Sequence, residues 1–210
     1  MRYKLTDENG KTHGGCEWGP GVSHSAPGTG ELCSTGWIYV YDSPCVAVMM
    51  NPCHADFENP RLWECEVSGN ELDDHGLKRG VQKCMTVRKI PVPVLTMEQQ
   101  VEIAIQCALH DCKNRYFTSD NFTRWAERWL DGTDRSAAAA AWSAARETGW
   151  EASWDAAWGA ISETAGDTAW REILETVWTA ASKAVWTAAL NAKIDITAVI
   201  EEVIGDDRNA

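Results

Sequence analysis

Seven tryptophans stand at positions 142, 150, 154, 158, 170, 178 and 186, separated by 8, 4, 4, 12, 8 and 8 residues, every gap a multiple of four. They sit in an Ala-rich stretch that begins Arg135-Ser136-Ala137. Four residues advance a helix by about 400°, so each step drifts about 40°, and the eleven steps from Trp142 to Trp186 accumulate roughly 440°. No single straight helix keeps such a stripe on one face. Breaks are offered by Gly149, Gly159 and Gly166-Asp167, where Asp167 can cap a new helix. Taken separately, Trp150, Trp154, Trp158 and Ile161 make one aromatic ridge. Trp170, Leu174, Val177, Ala181, Ala184 and Ala188 make a short heptad seam. Trp186 lies on the face opposite that seam, beside Leu190. This second apolar face, with Trp178, Trp186 and Leu190 as candidate partner-binding residues, serves either a second copy or another protein, or is covered by the rest of the chain.

The array sits in the acidic part of an acidic chain. Of 210 residues, 19 are Lys or Arg and 31 Asp or Glu, a net charge of −12, and residues 131–210 hold 14 of the acidic and 6 of the basic ones. A surface of that sign argues against nucleic acid as a partner. The start, MRYKLTDENGK, is polar and has no apolar core of a signal peptide, and no run approaches eighteen apolar residues. A cytoplasmic protein without a membrane segment is expected. Eight cysteines form no Cys-x-x-Cys pair. Cys107, His110 and Cys112 fall on one helix without converging on one face, so the expectation is free thiols and no metal.

Residues 1–95 read as a small α+β head with a mixed or antiparallel sheet. Eight of the 16 glycines fall within the first 36 residues, too irregularly for a phosphate loop. Tyr3–Leu5 is a short strand ended by Asp7-Glu8-Asn9-Gly10, and Trp37–Tyr41 is the most β-prone run. Ser43 caps a short helix with Pro44 in its first turn, running through Cys45–Met50 and stopped by Asn51-Pro52. Leu62–Val67 alternates as a half-buried strand, and Lys83–Ile90 is a further one. Thr96 and Gln99 form a capping box ahead of a helix over 97–113, followed by a helix over 120–130. The expected organisation is thus a head domain over 1–95, two amphipathic helices packing on it over 96–132, and an all-α, Ala/Trp-rich helical tail over 133–210.

Several motifs of the head carry a resemblance: Trp18-Gly19, Leu32-Cys33, Gly36-Trp37-Ile38-Tyr39, Asp42-Ser43-Pro44 with Ala47, Asn51-Pro52, His54-Ala55-Asp56-Phe57, Pro60-Arg61-Leu62-Trp63-Glu64 and Gly76-Leu77-Lys78. With them the chain resembles an uncharacterised family of tailed phages and prophages whose members often carry an Ala-rich helical tail interspersed with Trp or Arg. That resemblance implies a phage or prophage accessory protein. Acting by binding, it would self-associate or capture a host or virion protein through its tail. A narrower likeness covers residues 36–74. The Gly-Trp-Ile-Tyr-Val-Tyr strand, the short helix with Ala47 and the strand reaching Glu71-Leu72-Asp73-Asp74 look like small ADP-ribosyltransferases of the rifampin-modifying type.

That likeness implies NAD as cofactor, Tyr39 or Tyr41 stacking on nicotinamide, and Asp73 or Asp74 stabilising an oxocarbenium-like centre. The chain departs from those enzymes at its first strand, Tyr3-Lys4-Leu5-Thr6, which lacks their NAD-anchoring histidine unless His13 or His24 replaces it. His54 is a further catalytic candidate, as an acid/base group with Asp56 or beside Cys53. Arg61, Lys78, Arg79, Lys83, Arg88 and Lys89 concentrate positive charge late in the head, where an anionic ligand such as a nucleotide could bind or where they form a solvated strand face. Trp18, His24, Arg61 and Lys78 are the candidate ligand-binding residues.

Overall fold

The computed structural model describes residues 1–114, 120–133, 186, 189 and 194–207. In chain order the elements are β1 (Arg2–Thr6), β2 (Ser23–Ser25), β3 (Ile38–Val40), α1 (Pro44–His54), β4 (Arg61–Asp74), β5 (Lys78–Ile90), α2 (Met97–Asn114), α3 (Asp120–Leu130) and α4 (Ile196–Asp207). The chain divides into two compact units. One comprises Met1–Leu95 with Asp195–Ile200, and the other Thr96–Ile194 with Glu201–Ala210.

The β4–β5 hairpin organises the first unit. Its turn is written in the sequence: His75 and Gly76 adopt positive φ, Asp73 Oδ2 accepts from the Gly76 N–H at 3.2 Å, and the Leu77 N–H donates to the Asp74 carbonyl at 2.9 Å. Strands of 14 and 13 residues do not stay flat. Register shifts fall between Glu64 and Cys65 and between Ser68 and Glu71, and bulges of this kind bend a ribbon and raise its twist. Gly69, with φ +86°, supplies the left-handed backbone at the second bulge. β1 pairs antiparallel with the early half of β4, while β3 and β2 pair antiparallel with successive stretches of β5. Just beyond β3, Tyr41 and Tyr3 exchange backbone hydrogen bonds of 2.7 and 2.9 Å, joining β3 to β1. The ribbon β1-β4-β5-β3 is thereby joined end to end through this one bridge, closing it as a small barrel.

Alternation along the strands sorts the side chains. Inside lie Val40, Cys65, Val81, Cys84 and Trp18, with Ile38 and Val67 packed against them. On the outer face Leu5, Leu62 and Tyr41 are buried, α1 lies against β1, and Val46, Met49 and Met50 of that helix are buried too. Ser43 caps α1 as the sequence leads one to expect, its Oγ accepting from the Cys45 N–H at 3.3 Å. The helix does not stop at Asn51-Pro52, however, but runs to His54. A proline in the last turn forgoes one helical bond, and Asn51 offsets it by holding both backbone groups of Phe57, at 2.9 and 3.2 Å.

In the second unit, α2 opens with the expected capping box: the Thr96 N–H donates to Gln99 Oε1 at 2.9 Å, and the Gln99 N–H to Thr96 Oγ1 at 3.2 Å. Val101, Ile103, Ile105 and Cys107 are buried along α2, and Ala126 and Trp129 along α3.

The expected architecture, a mixed or antiparallel head followed by an all-α tail, requires correction. Among the described residues there is one five-stranded antiparallel sheet and four short helices. An all-α tail over 133–210 is not shown, since most of those residues lie outside the described ones. Its described helix is α4, capped by Asp195 Oδ1 on the Ala198 N–H at 3.1 Å, and Asp195–Ile200 groups with the sheet unit, where Ile196 and Ile200 are fully buried. Trp178, Leu190 and the tryptophan ridge at 150, 154 and 158 lie outside the described residues. No helix among the described residues is long and apolar enough to cross a membrane.

Candidate functional site

The side chains that the sequence marks for chemistry gather mainly on the outer face of the hairpin, around Lys78. Asp74 and Lys78 are the last paired residues of β4 and β5, and Tyr39 pairs with Gly80 on the same face. Gly80 makes room for this: a Cβ there would lie 3.0 Å from the Trp37 side chain and 3.1 Å from Leu32. Lys78 Nζ sits 3.6 Å from Asp74 Oδ2, 3.2 Å from Cys33 Sγ and 5.2 Å from the Tyr39 ring centre. The Tyr39 hydroxyl donates to the Ser34 carbonyl and accepts from the Ser34 N–H, both at 3.0 Å, tying down a turn in which Cys33 has positive φ. Partial burial raises the Tyr39 hydroxyl above the ordinary phenol range.

Next to this group lies the Tyr41–His54 pair. Tyr41 is 4% exposed, and its hydroxyl meets His54 Nδ1 at 3.4 Å with the two rings stacked 6.0 Å apart. Burial holds His54 down to about 4, with the Lys78 charge adding to the effect, so its imidazole is neutral at neutral pH. Burial, with Cys53 nearby, drives the Tyr41 hydroxyl well above the ordinary phenol range. His54 is thus engaged with Tyr41, while Asp56 stands exposed with its N–H on the Asn51 carbonyl at 2.6 Å.

Asp73 points the other way. Its carboxylate meets Arg79 Nη2 at 3.2 Å, and Arg79 forks onto both oxygens of Asp42 at 3.3 and 2.8 Å. Arg2 reaches the same Asp42 at 3.0 Å, and Glu71 lies 3.5 Å from Arg2 and 3.7 Å from Arg79. Hydrogen bonding to Asp42 raises Arg79 further into its charged range. This network ties β1, β4 and β5 to the residue that follows Tyr41. Asp73 and Asp74, adjacent in sequence, are therefore split between opposite faces.

The four ligand-binding candidates separate as well. Lys78 belongs to the Tyr39 group. Trp18 is 7% exposed inside the barrel, its indole N–H on Thr12 Oγ1 at 3.2 Å, and His24 meets its ring edge-on at 4.6 Å while contacting the Glu17 carbonyl at 2.7 Å. Arg61 lines a surface hollow of about 610 Å³ together with Glu8, Glu58 and Lys89. Of the partner-binding candidates, Trp186 is described, and it is 44% exposed. Cys107 is buried, which pushes its thiol up to about 12, and His110 is exposed. Among the described residues no three His, Cys, Asp or Glu side chains gather as metal ligands.

Sequence reasoning missed Lys4. Between Tyr3 and Leu5 it reads as the solvent side of an edge strand, but barrel closure turns that side inward. Its Nζ donates to the Tyr39 carbonyl at 2.9 Å and lies 4.5 Å from the Trp18 ring centre. Comparison with protein-family models, with curated proteins and with solved structures finds no match to this chain.

Proposed function

We propose that this chain is a tailed-phage or prophage accessory protein of the host cytoplasm that acts by binding, its C-terminal region engaging a second copy or a host or virion protein. The observation that carries the reading is the exposure of Trp186, at 44%, in the Ala/Trp-rich segment. An indole left that open in a helical segment is the kind of anchor that interfaces use. The catalytic candidates add indirect support, because their polar atoms hold the fold: Tyr39 on Ser34, Tyr41 on His54, Asp73 on Arg79 and Asp74 on Lys78. Light scattering after size exclusion tests the reading. An assembly that dissociates in Trp178→Ala or Trp186→Ala supports it; a monomer whose shape and stability ignore both substitutions sinks it.

A second reading, a nucleotide binder of the ADP-ribosyltransferase type, draws on Tyr39, Asp74 and Lys78 sharing one sheet face. They bring together a ring for stacking, a carboxylate and a cation for phosphate. Incubation with labelled NAD decides it. No transfer of label, no NAD consumption and no thermal shift removes both the active and the binding-only form.

A further inference from the structure

The inner face of the barrel carries an amine and thiols where a core ordinarily holds hydrocarbon. Lys4 on β1 stands opposite Trp63 on β4, Cys65 lies two residues along the same face, and Cys84 on β5 is paired with Val67, two residues further. Lys4, Cys65 and Cys84 therefore run diagonally across three adjacent strands on one face. Each thiol is 1% exposed and Lys4 5%. Half-buried Cys16 packs against the same cluster. Lys4 has a carbonyl and an indole ring as neighbours, and neither is an anion. An ammonium ion withdrawn from water is disfavoured unless a counter-charge meets it. Burial draws Lys4 below the ordinary amine range, and the groups that oppose this and favour its charged form are the thiols of Cys84, Cys65 and Cys16. The Cys65 S–H donates to Cys84, which together with the Lys4 charge draws Cys84 below the ordinary thiol range. The same contact and burial push Cys65 up. The two thiols are thereby unequal, Cys84 being the one held nearer its charged form.

We propose that Cys84 and Cys65 are a hydroperoxide-sensitive thiol pair, with Lys4 as the residue that positions it. The Cys84 thiolate attacks the terminal oxygen of a hydroperoxide. The O–O bond breaks, the departing alkoxide or hydroxide takes a proton, and Cys84 becomes a sulfenic acid. The Cys65 sulfur then attacks the Cys84 sulfur, an S–S bond forms, and the hydroxyl leaves as water with the Cys65 proton. Two thiols lose two electrons in all, and the peroxide is reduced to water and an alcohol, or to two waters from hydrogen peroxide. Because Cys84 is 1% exposed, the reaction requires a local opening, and the three-residue β2, paired with β5 at Met85, Cys84 and Lys83, is the short strand beside it.

The test uses the full chain and hydrogen peroxide, with free thiols alkylated and peptides mapped by mass spectrometry. A Cys65–Cys84 linked peptide, lighter by two hydrogens than the separate thiols, is expected. Cys65→Ser should stop the reaction at a Cys84 sulfenic acid that a cyclic diketone traps. Lys4→Met, similar in length and uncharged, should lose the ultraviolet absorbance of the thiolate and slow the linkage about tenfold or more. The absence of the linked peptide at a peroxide dose that oxidises exposed Cys33 overturns the proposal. So does folded Lys4→Met reacting at the wild-type rate. Should Lys4→Met fail to fold, Cys65→Ser decides alone, since a Cys84 that the diketone never labels overturns the proposal.

Discussion

At the scale of single residues, burial decides what the titratable groups can do. His54 sits near 4 because leaving water disfavours its cation and Lys78 opposes it. Its folded value lies below the roughly 6.5 of an unfolded histidine. Between those two values the unfolded chain binds the extra proton, so stability is full above about 6.5 and is lost as pH falls toward 4. The loss amounts to roughly 3 kcal/mol at most. His54→Asn keeps an acceptor near the Tyr41 hydroxyl and has no proton to gain. The melting temperature of that variant, followed from pH 7 to pH 4.5, should fall by clearly less than that of the wild type. Parallel curves would show that His54 does not govern this stretch of the acid response. Lys4 illustrates the same physics: burial draws its amine below the ordinary range, opposed by the neighbouring thiols, while its Nζ donates to the Tyr39 carbonyl and faces the Trp18 ring.

At the scale of elements, local chemistry was readable and long-range pairing was not. Ser43-Pro44 and Thr96 with Gln99 mark helix starts because a cap is made by residues two or three apart. The end of α1 was misjudged because Asn51 repairs the cost of Pro52 through Phe57, a contact that no helix rule contains. β4 and β5 extend well past the alternating stretches. The far half of β4 is exposed and largely polar, while the added part of β5 carries buried Gly80 and Val81 without a clean alternation, and pairing of the two strands rather than hydrophobic pattern keeps them extended. β2 is three residues with no pattern to find. Two substitutions test this account of the elements. Gly80→Ala should cost about 1 to 3 kcal/mol in denaturant unfolding, because its methyl meets Trp37 and Leu32 side chains that are themselves packed. Thr96→Ala should cost about 1 kcal/mol, with faster amide exchange confined to the first turn of α2. Gly80→Ala at wild-type stability would mean that Trp37 and Leu32 yield freely.

For the whole molecule, closure of the barrel explains why the candidate site was only half legible. Tyr39, Asp74 and Lys78 meet because they are near one hairpin end, which a strand register can suggest. Tyr41 reaches His54 through the helix that follows β3, Asp42 reaches Arg79 because β3 pairs with β5, and Asp42 reaches Arg2 because β3 returns to β1. Asp42→Asn removes the charge on which both arginines converge. It should lower stability by about 1 kcal/mol at low ionic strength, and by less in high salt. A loss that ignores salt would show that the carboxylate acts through packing instead. The tryptophan period of the acidic half lies almost wholly outside the described residues, and within the described ones Asp195–Ile200 groups with the sheet unit. Trp186 is left exposed, and the functional reading depends on it.

The most direct check of that reading is sedimentation velocity of the wild type and Trp186→Ala across a wide concentration range, alone and with a lysate of phage-infected host. The account predicts that the wild type shifts to faster-sedimenting species and that the folded variant does not. Identical, concentration-independent monomer boundaries for both proteins in every condition would contradict it.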